Sequence, residues 1–359
     1  MTELEQRKYI RWDAPGVEEV PPNETEDIDK VKELFNGIQC YYSKENGHCF
    51  GGTHARTQGI LKGKLTVPDD LPQHLKQTEL FQHGGEFDFI CRYSSEPSDP
   101  KLDDRIAQPR GMAMKIFGVK GKMFDAGKDY DTQDIEFNST PAIDLADAKT
   151  TKEIVSLRVK FQHDKKAHDE AIRARDDAEL QKAREEVPNK RLECTTFYGQ
   201  TAYRFGDYVM KYRIVPTSDG QKKRDGDRVD KEPDGILHEW LREYYKENDA
   251  EYDFQVQLLE NLEEQPVEYA GTEWDAQKYP WQTVGHMVIP KQESWDEDRN
   301  RFWVDNLRVD PWHGLQSLQP LGSPNRLRRL LYPASSAYRR KANGVKEMHI
   351  TRPQEMPGY

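Results

Sequence analysis

The chain has 359 residues and is acidic, with 53 Lys and Arg against 64 Asp and Glu for a net charge of −11, which excludes a protein whose affinity comes from neutralising nucleic-acid phosphates. Hydrophobic residues make up 35% and aromatic residues 10%, enough to pack a core and to exclude a disordered chain. Cys40, Cys49, Cys91 and Cys194 form no CxxC pair, against a disulfide framework or a zinc site, and no apolar run reaches signal-peptide or membrane-span length, so the expected location is cytoplasmic.

The first 30 or so residues, with "DAPGVEEVPPNETED", read as an acidic arm, either wrapped over a partner subunit or loose. "DIDKVKELFNGIQCYYS" predicts a short helix, and residues 1–44 are taken together as arm and helix ahead of one core domain over 45–359. Apolar residues alternate in "GILKGKLTVP" (59–68), "GEFDFICRYSS" (85–95) and "PRGMAMKIFGV" (109–119), a two-residue rhythm that predicts antiparallel strands. "GKMFDAGK" (121–128) has one residue too many between its glycines for a P-loop and is read as a turn. "DIEFNSTPAID" (134–144) predicts a strand running into a turn.

Residues 150–191 predict a mostly solvated helical stretch rich in i,i+4 charge pairs, a surface rather than a binding site. "TTFYGQTAYRFGDYVMKYRIVP" (195–216) returns to strand alternation, and a polar loop follows. "HEWLREYYKENDAEYDFQVQLLENL" reads as another helix, "TVGHMVIPKQ" and "NRFWVDNLRVDPW" as extended segments, and "SPNRLRRLLYPASSAYRR" as a last helix capped by Ser323 and loosened at Pro333. The fold class is therefore α+β, an antiparallel barrel with inserted and terminal helices.

On the last helix Arg328, Tyr332 and Arg339 lie at i, i+4 and i+11, which returns all three to one stripe. A tyrosine titrates near about 10 and becomes a phenolate only beside a metal or a cation, so Tyr332 is a candidate iron ligand. "RRLLYPASSAYRR" resembles the proximal helix of haem catalases. "THARTQG" resembles their distal histidine loop, "CRYSS" and "QPRGMAMKIF" the arginine-bearing strands, and "EFNSTPAID" the Asn-Asn-Thr-Pro segment, all in the family's order over about residues 45–345. "PLGSPNRLRR" and "YPASSAYRR" bring the chain nearer the minimal catalase-related peroxidases and allene oxide synthases than the long catalases.

The resemblance implies a catalase-like barrel with haem b buried between barrel and terminal helix. Tyr332 would be the iron ligand, Arg328 would hold it as phenolate, and Arg92 and Arg339 would meet the propionates. His54 and Asn138 would form the distal pair, with Ser94 orienting the imidazole. Peroxide chemistry needs a base that takes a proton from one oxygen and returns it to the other, and a neutral histidine suits this. An amide donor aids bond polarisation without adding charge. The Asn138-Ser139-Thr140 sequon also argues against secretion, because a glycan there would block the distal pocket.

The chain departs from the family at several points. Gly51 stands where a third propionate arginine is usual, and Thr53 beside His54 brings a hydroxyl that can restrain the imidazole. Gln108 replaces a channel aspartate, Thr151 an aromatic over the haem, and Ile143 with Asp144 a phenylalanine pair. The expected activity is peroxide cleavage favouring organic hydroperoxides over hydrogen peroxide, in a homo-oligomer, with a dimer favoured. Two alternatives stand beside it: a fatty-acid hydroperoxide isomerase or dehydratase, or oxidative tailoring enzyme, and a haem-binding stress or sensor protein with little turnover.

Overall fold

A computed structural model describes residues 4–124 and 129–359, so part of the expected turn at 121–128 and the start of the arm lie outside the described residues. The chain forms β1 (Arg56–Val67), whose second half alternates buried and exposed, then β2 (Gly85–Ser95), β3 (Arg110–Phe117) and β4 (Thr132–Asn138), buried on both faces over most of their length, each antiparallel to the one before. Then come β5 (Phe197–Tyr198), β6 (Tyr203–Phe205), β7 (Tyr208–Pro216), β8 (Ala250–Leu258) and β9 (Gln282–Ile289). The strand order is β5-β4-β3-β2-β1-β9-β8-β7-β6, and pairing of β5 with β7 closes eight strands into a barrel with β6 as an added hairpin arm. Closure removes the exposed edges that an open sheet would present.

Inside the barrel sit Phe89, Cys91 and Tyr93 of β2 with Met112, Met114, Phe254 and Met287, all buried. The Tyr93 hydroxyl meets those of Tyr245 and Tyr252 at 3.1 and 2.8 Å, so the polar tips of this core satisfy one another. The alternate residues of β2, among them Arg92 and Ser94, therefore face outward. Helices cover that face: α1 (Glu24–Asn46), α2 (Ala148–Lys160) and α8 (Ser323–Asn343) share a cluster of Ile28, Val31, Phe35, Val155, Leu327 and Leu331. The site lies in the seam between that cluster and the barrel.

Several expectations change. The predicted short helix is the 23-residue α1, and the preceding arm is neither loose nor free: Ile10 and Trp12 bond the backbone of Leu259 and Asp207, and Arg204 stacks on the Trp12 ring. The stretch from His238 onward is not one helix. α6 (Ile236–Glu247) stops at Asn248, and the alternation of Tyr252, Phe254, Val256 and Leu258 forms β8, because barrel closure needs a strand there.

The polar loop after β7 holds α5 (Asp219–Arg224), started by a Ser218/Gln221 capping box. "NRFWVDN" belongs to α7 (Glu297–Asp305), capped by Asp296, rather than to an extended segment. The 150–191 stretch breaks into α2, α3 (Lys165–Arg173) and α4 (Ala178–Ala183).

On α8 the cap residue is Gly322, while the Ser323 hydroxyl accepts from the Ala148 amide and so ties α8 to α2. The helix also runs on past Pro333 to Asn343. The four cysteines are free thiols, and among the described residues no helix is long and apolar enough to cross a membrane.

Candidate active site

The seam holds a cavity of about 560 Å³, within the usual size of small-molecule and cofactor sites. All eight residues singled out from the sequence line it: Thr53, His54, Arg92, Ser94, Asn138, Arg328, Tyr332 and Arg339. Strand register explains much of this. Ser94, Gly111 and Asn138 are paired neighbours across β2, β3 and β4, and one step along the same face Arg92, Ala113 and Glu136 form a second row.

His54 is held from several sides. Its backbone is left-handed at φ 53°, a conformation uncommon for a residue with a β-carbon, and the Arg92 guanidinium donates to its carbonyl at 2.6 Å. Its Nδ1 lies 3.0 Å from the Ser94 hydroxyl, and its ring lies over Gly111, where a β-carbon would come within 2.4 Å of Cε1. Gly52, just before it, packs so closely on the Phe35 ring that a β-carbon would fall 2.7 Å away. These contacts account for the glycine-flanked loop. The imidazole bond belongs to Ser94, so the expected restraint from Thr53 is not what holds the ring.

Burial, reinforced by Arg92 and Arg328, pushes the His54 imidazole down to about 3. It is neutral near pH 7. With Nδ1 engaged by Ser94, Nε2 is the nitrogen left to accept or release a proton in the cavity. Asn138 Oδ1 is a buried atom with no partner among the described residues.

Tyr332 enters from α8. Asn325 fixes the helix start by donating to Ala202 and Leu321, and Arg326 reaches Glu24 and Glu268 in paired contacts of 2.6–3.0 Å. Arg328 does not hydrogen-bond Tyr332 as expected for a phenolate clamp: its Nη1 goes to Thr201 and Asn325, at 3.3 and 3.2 Å. Burial and Glu136 push the Tyr332 hydroxyl well above its ordinary range, with Arg328 opposing them, so by its protein neighbours alone Tyr332 is a neutral phenol.

Sequence reasoning missed Glu136. The Tyr332 hydroxyl donates to its Oε2 at 2.9 Å, and burial, against the pull of Arg328, pushes the carboxyl up to about 7. The signal was present: Glu136 stands two residues before Asn138 on one strand, hence on the same face.

The arginines divide by environment. Arg92 is buried and Arg339 half-buried, and desolvation pushes them down to about 9 and 10. Among the described residues the Arg339 Nε has no partner, although its Nη2 donates to the Leu307 carbonyl at 2.9 Å. Two desolvated guanidiniums with spare donors suit the two carboxylates of a dianionic ligand.

The outer wall was also missed. Arg184, just past α4, donates to Glu96 at 3.1 Å and to Asp144 at 3.4 Å, and Arg158 reaches the same Asp144 at 2.5 Å. Leu180, Val187, Ala142 and Ile143 line the cavity beside this quartet. The charge-rich helical stretch is thus partly a cavity wall, contrary to expectation, although α3 itself buries no residue. Gln108 is buried away from the cavity lining, and Thr151 lines it with its hydroxyl bonded to Asp147 at 2.7 Å.

By sequence the chain matches no family model and no curated protein. By structure it is similar to catalases. A fungal catalase crystal structure superposes with a TM-score of 0.63 over 98% of this chain and 73% of that one, at 14% identity. Catalase A from Saccharomyces cerevisiae gives 0.62 over 98% and 75%, also at 14% identity. The fold is the catalase-like barrel.

Proposed function

We propose that this chain is a haem-dependent enzyme acting on peroxides, with organic hydroperoxides favoured over hydrogen peroxide. The observation that carries the reading is the meeting of His54, Asn138, Tyr332, Arg92 and Arg339 in one cavity of a catalase-like fold. The residues fit haem b. The cavity has the volume, and Arg339 Nε and Asn138 Oδ1 are buried polar atoms for which the described residues supply no partner. One contact must change: Tyr332 ligates only after Glu136 turns away from its hydroxyl.

Tyr332 would face the iron, with Arg328 beside it, while Arg92 and Arg339 would meet the propionates. When bound, haem b supplies the redox-active iron at which the O–O bond is cleaved. The neutral His54 takes a proton at Nε2 from one peroxide oxygen and returns it to the other, with Ser94 fixing the ring. Asn138 donates from its amide to the oxygen on which negative charge develops. The apolar wall of Ile143, Leu145, Leu180 and Val187 favours a substrate with an organic body.

The test compares oxygen release from hydrogen peroxide with oxidation of a chromogenic donor by cumene hydroperoxide, using haem-loaded protein. The reading expects donor oxidation to dominate. Rapid oxygen release without donor oxidation overturns the substrate preference, and a protein that takes up no haem overturns the reading itself.

A further inference from the structure

A second cavity, of about 380 Å³, takes no part in the chemistry just described. Residues 51–54 line the first cavity, while Phe50 and residues 55–58 of the same segment line the second, together with side chains of α6 and α7.

The lining of this second cavity is rich in acceptors. Gln58 is fully buried, and its Nε2 donates to the Ser95 hydroxyl at 3.0 Å and to the Asp104 carboxylate at 2.9 Å. Those bonds fix the amide and leave Oε1 to accept, yet among the described residues Oε1 has no partner. Asn300 Oδ1 is a second buried oxygen with none among them. His238 donates from Nδ1 to the Gln58 carbonyl at 2.9 Å, so in the neutral ring Nε2 is a third acceptor. The Trp295 ring stands against that imidazole at 4.6 Å and 85°. Arg56, the one lysine or arginine of the lining, is already engaged by Asp234 at 2.9 Å and by the Leu102 carbonyl at 2.8 Å.

Buried acceptors without donors are costly, so a ligand that brings donors is favoured. Three acceptors select a group with several N–H bonds, and an indole ring with the exposed carboxylate of Glu239 selects positive charge. We propose that this cavity is a binding site for a compact primary ammonium ion with an apolar body. The N–H groups donate to Gln58 Oε1, Asn300 Oδ1 and His238 Nε2, and the body packs against Trp295 and Val304. The site stands apart from the haem reading and does not depend on it.

The experiment titrates the full chain by calorimetry with two probes of nearly equal shape, phenethylammonium and the neutral phenethyl alcohol. The ammonium should bind about tenfold or more tightly, the size of one charge-assisted hydrogen bond. Asn300→Leu removes an acceptor at a residue outside the first cavity, and should cost the ammonium about tenfold while leaving the alcohol little changed. Trp295→Leu, at a half-buried position, is the second variant should the first fail to fold, and should weaken the ammonium about threefold.

Failure of the ammonium to bind, equal affinity for the two probes, or an undiminished preference in the variants overturns the proposal and leaves the haem reading untouched. Failure of the chain to take up haem defeats that reading and leaves this proposal standing.

Discussion

Gly111 and His54 interlock: the imidazole lies where a side chain at position 111 would be, with Cε1 only 2.4 Å from an ideal β-carbon. The missing side chain on β3 is therefore what allows the histidine of a separate loop to lie flat against the barrel, one strand from Ser94 and one from Asn138. Gly111→Ala forces the ring out of place. Crowding of this kind costs about 1–3 kcal/mol. The variant should melt earlier and lose most peroxide turnover, read by thermal denaturation and steady-state kinetics. Unchanged turnover would show that the ring position is not needed.

A second prediction concerns pH. The His54 imidazole, ordinarily near 6.5, is pushed down to about 3 by burial and by Arg92 and Arg328, so the neutral base persists through the whole range between. Peroxide turnover should stay level from pH 7 to about 5, instead of falling through the usual histidine midpoint. In the same window the unfolded chain takes up a proton that the folded one refuses, so this residue makes stability fall on acidification by about 1.4 kcal/mol per pH unit. His54→Gln should flatten that slope and lower turnover by about 10²–10⁴-fold. Denaturant melts across the range and pH-rate profiles check both.

Arg184 carries a third. It bridges Glu96 at the end of the barrel strands and Asp144 in the turn after β4, from a segment that otherwise buries little. Arg184→Gln takes the ion-pair partner from Glu96 and leaves Asp144 with Arg158 alone. Breaking a buried pair of this kind costs about 3–5 kcal/mol. Amide hydrogen exchange over residues 165–188 should speed up in the variant while the barrel strands keep their protection. Uniform exchange rates in the two proteins would mean the ion pairs do not hold this wall.

Ile143 offers a test of substrate size. It lines the cavity beside Ala142, and its amide bonds the Ala270 carbonyl at 3.1 Å, so the backbone there is fixed. Ile143→Phe should fill apolar space without moving the chain. Turnover of cumene hydroperoxide should drop about tenfold or more, with hydrogen peroxide affected little, because one ring in a close-packed wall excludes a bulky body and not a two-oxygen one. Competition assays with the two substrates read the ratio directly.

The strands around the site were legible because apolar residues alternate with polar or charged ones in their sequences: the alternation in "GEFDFICRYSS" marks β2 to the residue, although helices bury its outer face as well. The stripe of Arg328, Tyr332 and Arg339 was legible for the same reason at helical period. β8 was hidden because "HEWLREYYKENDAEYDFQVQLLENL" is apolar at both helical and strand spacings, and only barrel closure decides between them. Glu136 was passed over because an acidic residue in a strand ordinarily faces water; its spacing of two from Asn138 gave the face it lies on but not that Tyr332 of α8 would meet it. Arg184 was hidden by its charged neighbours, since an ion pair across 88 residues leaves no periodic trace.

The central claim is that the oxygen of Tyr332 holds the iron of a porphyrin. The direct measurement is a haem titration of the protein and of Tyr332→Phe, followed by the absorption spectrum with and without cyanide. The account predicts a high-spin ferric tyrosinate spectrum in the unaltered protein, and a variant that loses haem or changes its spectrum while keeping its fold. A variant with the same haem affinity, the same spectrum and the same peroxide turnover would contradict it.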